Sequence, residues 1–369
     1  NSLLISYVLI HRFGLASVGL FALGLVAMAV VGLTGSLGLS AYLPRLKQPH
    51  AQSCTAALSL QLLVAPLWIG GVLGFAILVA HTRDERAVIT LVGVSGILMA
   101  LANTGLMLSI MKHRFAPGLL SPLCETAAVV LGGVLSRTPL EYAAALLIGR
   151  IGSAVAVWWG LQLASIAPGR VFGIAKSSVP YMLPDTLAML SEQVIPLTLA
   201  SVVTRSELGV YRLCQQLLTA ADTPGWSYVQ ARYPDLVGAP LHQRSAITRQ
   251  VTLLGAAAAA LCLGGSALLA YFVFRVPAVA PMMAVLALTL VWRYRNNLFD
   301  QAFRASGWVG STTVLGAGKL VAGLLLAWPL TRAFHVWGGV ACLAILSVGS
   351  GLAYQQVYAR RARLVAPAP

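Results

Sequence analysis

An all-α integral membrane fold, with about twelve transmembrane helices in two pseudo-symmetric six-helix lobes around a central cavity, is predicted by three observations on this 369-residue chain. The composition is 58% hydrophobic and only 9% charged, with a mean hydropathy of +0.83, whereas ordinary globular domains carry about a quarter charged residues. Apolar runs of about 20 residues, each long enough to cross a hydrocarbon core of about 30 Å as a helix, recur from end to end. The third observation is a repeat: Gly19 and Phe21 open a segment closing at Tyr42, Pro44 and Leu46, and Gly209 and Tyr211 open one closing at Tyr233, Pro234 and Leu236. Both segments place glycine and proline 25 residues apart, and they lie 190 positions from each other.

In chain order the spans fall near 1–10, 15–43, 54–80, 87–111, 115–136 and 139–166 in the first half, then 178–203, 207–233, 250–274, 277–303, 308–331 and 336–358 in the second. This divides the chain into a lobe over 1–166, a cytoplasmic linker over 167–177, a second lobe over 178–358 and a basic tail over 359–369. The first span is short, since ten residues rise only about 15 Å; the repeat offset would start it about eleven residues before Asn1, so its amino end is expected to be missing. Without a basic n-region or a clear cleavage site, it does not read as a signal peptide.

Orientation follows the Lys and Arg content of the short loops. With the amino terminus inside, thirteen basic residues are cytoplasmic: Arg45, Lys47, Lys112, Arg114, Arg170, Lys176, Arg232, Arg244, Arg249, Arg304, Arg360, Arg361 and Arg363. Seven lie opposite: Arg12, Arg83, Arg86, Arg137, Arg205, Arg275 and Arg332. Both termini therefore face the cytoplasm of a multi-pass cell membrane protein. The net charge of +15 is assigned to this bias and to anionic membrane lipids rather than to nucleic acid, which needs a solvated basic face. The five cysteines stand singly, without C-x-x-C spacing, and read as small buried hydrophobes rather than as metal ligands or disulfides.

Ten ionisable residues remain inside spans: Glu125, Arg150, Asp185, Glu192, Arg212, Asp222, Arg293, Arg295, Asp300 and Lys319. Facing lipid at helix centres they would cost roughly 25 to 35 kcal/mol, well beyond typical folding stabilities of about 5 to 15 kcal/mol. Most must face water or each other, and an intramembrane charge is a functional hypothesis by default. Helical spacing groups them. Arg293, Asn297, Asp300 and Arg304 lie within about 60° on one helix, with Asn296 at the edge. Arg212, Gln216, Thr219 and Thr223 share a second face, bordered by Gln215 and Asp222, and Tyr181, Asp185 and Glu192 share a third. The alternative is structural: Asp300 with Arg304 and Asp222 with Arg212 as ion pairs, and Arg295 snorkelling to the headgroups.

Pro180, Pro184, Pro196 and Pro224 remove backbone hydrogen bonds within spans and can bend helices. Gly32, Gly35 and Gly38, with Gly70, Gly71 and Gly74, read as surfaces for close helix approach. Enzymatic motifs are absent. Gly316-Ala317-Gly318-Lys319-Leu320 departs from a phosphate loop, since Thr313 stands for the required glycine and Leu320 for the Ser or Thr. No nucleotide-binding, H-E-x-x-H, G-x-S-x-G or Asp-rich metal motif occurs, so the chain reads as no enzyme and as needing no cofactor beyond H+ or Na+ coupling. Duplicated halves in a membrane instead mark transporters, whose substrate site lies between the repeats.

The segment FGLASVGLFALGL…TGSLGLSAYLPRL, residues 13–46, resembles the region around helix 2 of polysaccharide flippases of the multidrug, oligosaccharidyl-lipid and polysaccharide exporter superfamily. SELGVYRLCQQLLTAADTPGWSYVQARYPDL, residues 206–236, resembles their helix 8. The resemblance implies transport of an undecaprenyl-diphosphate-linked glycan to the outer leaflet by a monomer, alongside a polysaccharide polymerase and glycosyltransferases as partners. It implies that Arg212 and Arg293 bind diphosphate or acidic sugar together with Arg150 and Lys319, that Asn296, Asn297, Gln215 and Gln216 meet sugar hydroxyls, and that Asp185, Glu192, Asp300 and Asp222 serve ion coupling. Five acids among the ten charges depart from a strongly basic lumen. Two rivals stay open: a cation-coupled multidrug exporter of the same superfamily, and a non-transporting scaffold of a polysaccharide assembly complex.

Overall fold

A computed structural model describes residues 2–43, 51–165, 168–232, 241–306 and 308–365, which form helices without a strand. The helices are α1 (Ser2–Phe13), α2 (Leu15–Gly35), α3 (Leu39–Tyr42), α4 (Ala51–Val79), α5 (Arg83–Met111), α6 (Ala116–Leu135), α7 (Pro139–Trp158), α8 (Pro168–Ala200), α9 (Arg205–Ala231), α10 (Leu241–Leu268), α11 (Val279–Leu288), α12 (Leu290–Ala305) and α13 (Val309–Val365). The chain divides into two compact units, Asn1–Met189 and Leu190–Pro369. Residues 168–177, expected as a linker, are the first turns of α8, and the division falls within that helix. Pro44, Leu46, Tyr233, Pro234 and Leu236, which close the repeated segments, lie outside the described residues, as do Arg45 and Lys47.

Among the described residues, seven stretches are long and apolar enough to cross a membrane: α2, α4, α5, α6, α7, Ala246–Val273 and Gly310–Arg361. The last exceeds one crossing. His335 takes φ 52° and ψ −129°, so α13 is two helices meeting at that residue, where the expected spans 308–331 and 336–358 part. α9 is long enough but too polar, carrying Arg212 and Asp222, α12 spans only 16 residues, and the Thr186–Ala200 part of α8 is apolar but short.

Three helix starts share one local design. Thr82, Thr138 and Thr204 each accept from the backbone N–H three residues on, that of Glu85, Glu141 and Glu207. Each glutamate carboxylate in turn accepts from a backbone N–H just before the helix: His81 at 2.8 Å, Arg137 at 2.6 Å and Thr204 at 2.9 Å. The first turn of a helix has N–H groups without intrahelical partners, and this T-x-x-E exchange satisfies one of them and one N–H just before the helix while setting an acid at the positive end of the dipole.

In the first unit α2 and α5 pack so closely that a Cβ on Gly96 would meet the Met28 carbonyl oxygen at 2.5 Å. Gly24 and Gly93 make the same allowance toward Val92 and Val72. Of the glycines expected to pack, Gly32 faces Met99 and Gly35 faces Ala100, but Gly70, Gly71 and Gly74 meet open space. They stand on the exposed side of α4 with Leu67 and Leu78, 71% and 86% exposed, a face suited to acyl chains rather than to a helix. The expected span 15–43 is likewise interrupted: Leu37 and Gly38 both take positive φ, and a Cβ on Gly38 would collide with the Ser178 carbonyl oxygen of α8. Glycine is required there both by conformation and by approach.

Polar side chains fix the helices where apolar contact alone has no direction. The buried Gln61 donates to the carbonyls of Gly35 and Ala100 and to Thr104, joining α4 to α2 and α5. The Arg12 guanidinium bonds the carbonyls of Val134 and Ser136 at the end of α6. Trp158 donates to the Leu101 carbonyl at 2.9 Å, tying α7 to α5. In the second unit Pro224 interrupts the α9 hydrogen bonds, and the Tyr294 hydroxyl donates to the nearby Ala221 carbonyl at 2.8 Å, its ring lying over Gly225.

Candidate functional site

The densest group of charges lies within the second unit and draws on four helices: Glu192 from α8, Arg212 and Asp222 from α9, Arg293 and Asn297 from α12, and Lys319 from α13. Arg212 to Asp222 spans ten residues, about 1000° at about 100° per residue, so both stay on one side of α9 within about 80°. Arg293 and Asn297 are one turn apart on α12 and share their face by the same rule.

Asp222 is the tightly held member. Its Oδ2 accepts from Arg293 Nε at 3.1 Å and lies 3.0 Å from Nη2, and its Oδ1 accepts from the Asn297 amide at 3.2 Å. The Asp222 and Arg293 side chains are each 14% exposed. Glu192 differs: its Oε1 lies 3.8 Å from both Arg293 Nη2 and Lys319 Nζ, beyond hydrogen-bond length, and its side chain is 38% exposed. Arg212 is close enough to Glu192 to feel its charge, but its side chain bonds Gln215, 2.6 Å from Nη1. Its Nε is buried without a partner among the described residues, as is the Tyr211 hydroxyl beside it in sequence. Among the described side chains, three cations thus face two carboxylates. The arrangement retains one net positive charge, and Arg212 carries the guanidinium with least direct compensation.

Asp222 therefore pairs with Arg293, not with Arg212. Asp300 pairs with Arg304 at 2.8 Å on the same helix and Arg295 donates to Gln355. The Asn296 amide nitrogen is committed to Ser347 and Ser350 of α13, Gln215 holds Arg212, and Gln216 is buried. Arg150 is in the first unit, joined to Glu125 at 2.6 Å. The Asp185 side chain lies outside the described residues.

Around Arg150 the structure adds two uncharged residues, Ser121 and Ser153. Ser153 donates to Glu125 Oε1 at 3.2 Å and shares a 2.6 Å bond with Ser121. Ser121 and Glu125 are one turn apart on α6, and Arg150 and Ser153 nearly so on α7, so the signal was there in spacing. Glu125 and Arg150 line a small cavity of about 50 Å³ with Ser95 and apolar side chains, enough for a few waters. No group of three or more His, Cys, Asp or Glu residues suited to a metal ion occurs among the described residues.

Against solved structures, the chain matches an inward-facing multidrug resistance MATE family transporter of the MOP superfamily with a TM-score of 0.72 at 14% identity, over 98% of this chain and 95% of that one. It matches the lipid II flippase MurJ in an inward closed conformation at a TM-score of 0.79 and 9% identity, over 97% and 84%. A third match is the MATE multidrug transporter DinF-BH, solved as a complex, at a TM-score of 0.67 and 16% identity over 97% and 90%. No protein-family profile and no curated protein sequence matches the chain. At these identities the likeness is one of fold: the protein has the all-helical, multi-pass membrane fold of MATE and MurJ-type transporters.

Proposed function

We propose that this protein is a membrane transporter of the flippase type, moving lipid-linked oligosaccharide or polysaccharide repeat units across the cytoplasmic membrane by alternating access. The observation that carries the reading is the unbalanced charge of the second unit, where, among the described side chains, Arg212, Arg293 and Lys319 face Glu192 and Asp222. A diphosphate is a compact anion that guanidinium groups grip by paired hydrogen bonds, and in a low-dielectric bundle an uncompensated cation favours such a ligand strongly. The segment resemblance at 206–236 and the fold shared with a lipid II flippase support the same reading.

Within this proposal Arg212 is the first contact for the diphosphate. Arg293 and Lys319 become available as Glu192, their loosely held counter-ion, yields to the substrate. Asn297 and Gln215 stand beside them for sugar hydroxyls. Glu192 is the favoured coupling carboxylate, because Asp222 is occupied by Arg293 and Asn297 and Asp300 by Arg304. Undecaprenyl diphosphate supplies the lipid carrier, and a polymerase on the outer face consumes the product.

A second reading, a cation-coupled multidrug exporter, is favoured by one observation: Glu192 is the most exposed charge of the group, and a carboxylate is the group an organic cation would seek. Analysis of lipid-linked glycans in a deletion strain decides. Accumulation of a finished repeat unit on the inner leaflet, restored by the wild-type chain and not by Arg212→Ala or Arg293→Ala at equal membrane abundance, supports the flippase. Unchanged glycan with altered drug sensitivity supports the exporter and overturns the flippase.

A further inference from the structure

Away from these charges, α6 and α7 of the first unit form an open groove of about 430 Å³. Its walls are apolar, among them Pro117, Leu120, Val155 and Trp159, and at one end lies Arg114. The rims are open to the surroundings, with Leu120, Val155 and Trp159 at 50%, 53% and 75% exposure. In a membrane bundle, a furrow so exposed on apolar helices is bathed in acyl chains.

The polar end is unusual for such a surface. The Arg114 guanidinium packs against Gly160, which takes φ +73° at the end of α7 and has no side chain to displace it. Arg114 Nη1 is buried and has no hydrogen-bond partner among the described residues, although a buried guanidinium N–H left unbonded is costly. The same turn carries Lys112 and His113. α6 starts two residues later with no acid in its first turn and no side-chain cap, so its positive dipole end reinforces the field. An apolar trough lined by an arginine matches an anionic amphiphile, and basic pockets between membrane helices on the cytoplasmic side are where acidic headgroups bind.

We propose that the α6–α7 groove is a binding site for an anionic glycerophospholipid of the leaflet that Arg114 reaches, with an acyl chain along the groove and its phosphate accepting from Arg114. The bilayer lipid is the assigned occupant because the groove opens along its exposed flank, where phospholipid is the surrounding solvent. The site does not depend on the transport reading and survives its failure.

The test is native mass spectrometry of the purified full chain, titrated separately with phosphatidylglycerol, phosphatidylcholine and undecaprenyl phosphate. The wild type is expected to retain phosphatidylglycerol over phosphatidylcholine. Arg114→Gln is expected to weaken phosphatidylglycerol retention about fivefold, the effect of one basic residue near an acidic headgroup, and to leave phosphatidylcholine unchanged. Val155→Trp, an exposed change that fills the groove, should weaken retention of both phospholipids without altering the unfolding temperature. Equal phosphatidylglycerol retention by wild type, Arg114→Gln and Val155→Trp overturns the site. Displacement of phosphatidylglycerol by undecaprenyl phosphate at equal stoichiometry overturns the assigned occupant.

Discussion

Removing Asp222 separates a structural ion pair from a displaceable one. Asp222 and Arg293 meet at 3.0 Å with both side chains 14% exposed, and Asp222 accepts hydrogen bonds from Arg293 and Asn297. Truncating one partner of a buried pair costs about 3 to 5 kcal/mol, because the other charge stays behind. Their Coulomb attraction at an effective dielectric of about 20 is about 5.5 kcal/mol, an upper bound in line with that range. Glu192 and Lys319, 3.8 Å apart with Glu192 at 38% exposure, resemble a surface pair worth about 0.2 to 1 kcal/mol. Asp222→Ala or Arg293→Ala should therefore lower the unfolding temperature by about 6 to 20 °C, at about 2 to 4 °C per kcal/mol for a unit of this size. Glu192→Ala or Lys319→Ala should lower it by less than about 4 °C on the same scale. Fluorescence-detected size exclusion after heating, run on both double-mutant cycles, gives the coupling. The Asp222/Arg293 cycle should show at least about 2 kcal/mol and the Glu192/Lys319 cycle under about 1 kcal/mol. Additivity within about 0.5 kcal/mol in the first cycle, or a larger coupling in the second, would refute the division of roles.

Thiol labelling should rank the same positions: a cysteine at Glu192 reacts faster with a polar maleimide than one at Asp222, against a background in which Cys54, Cys214 and Cys342 are buried. Gly96→Ala, whose Cβ would strike the Met28 carbonyl, should cost about 1 to 3 kcal/mol, whereas Gly70→Ala, in open space, should be neutral or gain up to about 1 kcal/mol; thermal unfolding distinguishes them. Gly38→Ala adds a positive φ to a backbone collision and should reduce folded yield on size exclusion more than Gly96→Ala.

Much of the fold was legible because span length and apolarity are set by the bilayer. The expected span 115–136 is α6 at 116–135, and 87–111 is α5 with one further turn, begun at the T-x-x-E motif of Thr82. What could not be read was direction. Gly32 and Gly70 look alike in sequence, yet one faces Met99 and the other nothing, since a glycine does not announce what stands opposite. The convergence of Glu192, Asp222, Arg293 and Lys319 is partly foreshadowed by helical faces, but periodicity within a helix fixes no partner across helices. Asp222 could have matched either arginine, and pairs with the one on α12. Leu37 and Gly38, inside what reads as a single span over 15–43, turn where the α8 backbone passes, a constraint from over a hundred residues away.

The reciprocal Thr–Glu starts of α5, α7 and α9 bear on biogenesis. Each follows a gap of three or four residues after the preceding helix, 80–82, 136–138 and 201–204. With two backbone N–H groups of each bend paired locally, an outgoing and a returning rod can insert as one hairpin with fewer exposed amides left for distant segments to cover. The protein is thus suited to insertion of its helices in pairs, and damage to Glu85, Glu141 or Glu207 would surface as delayed integration into the membrane.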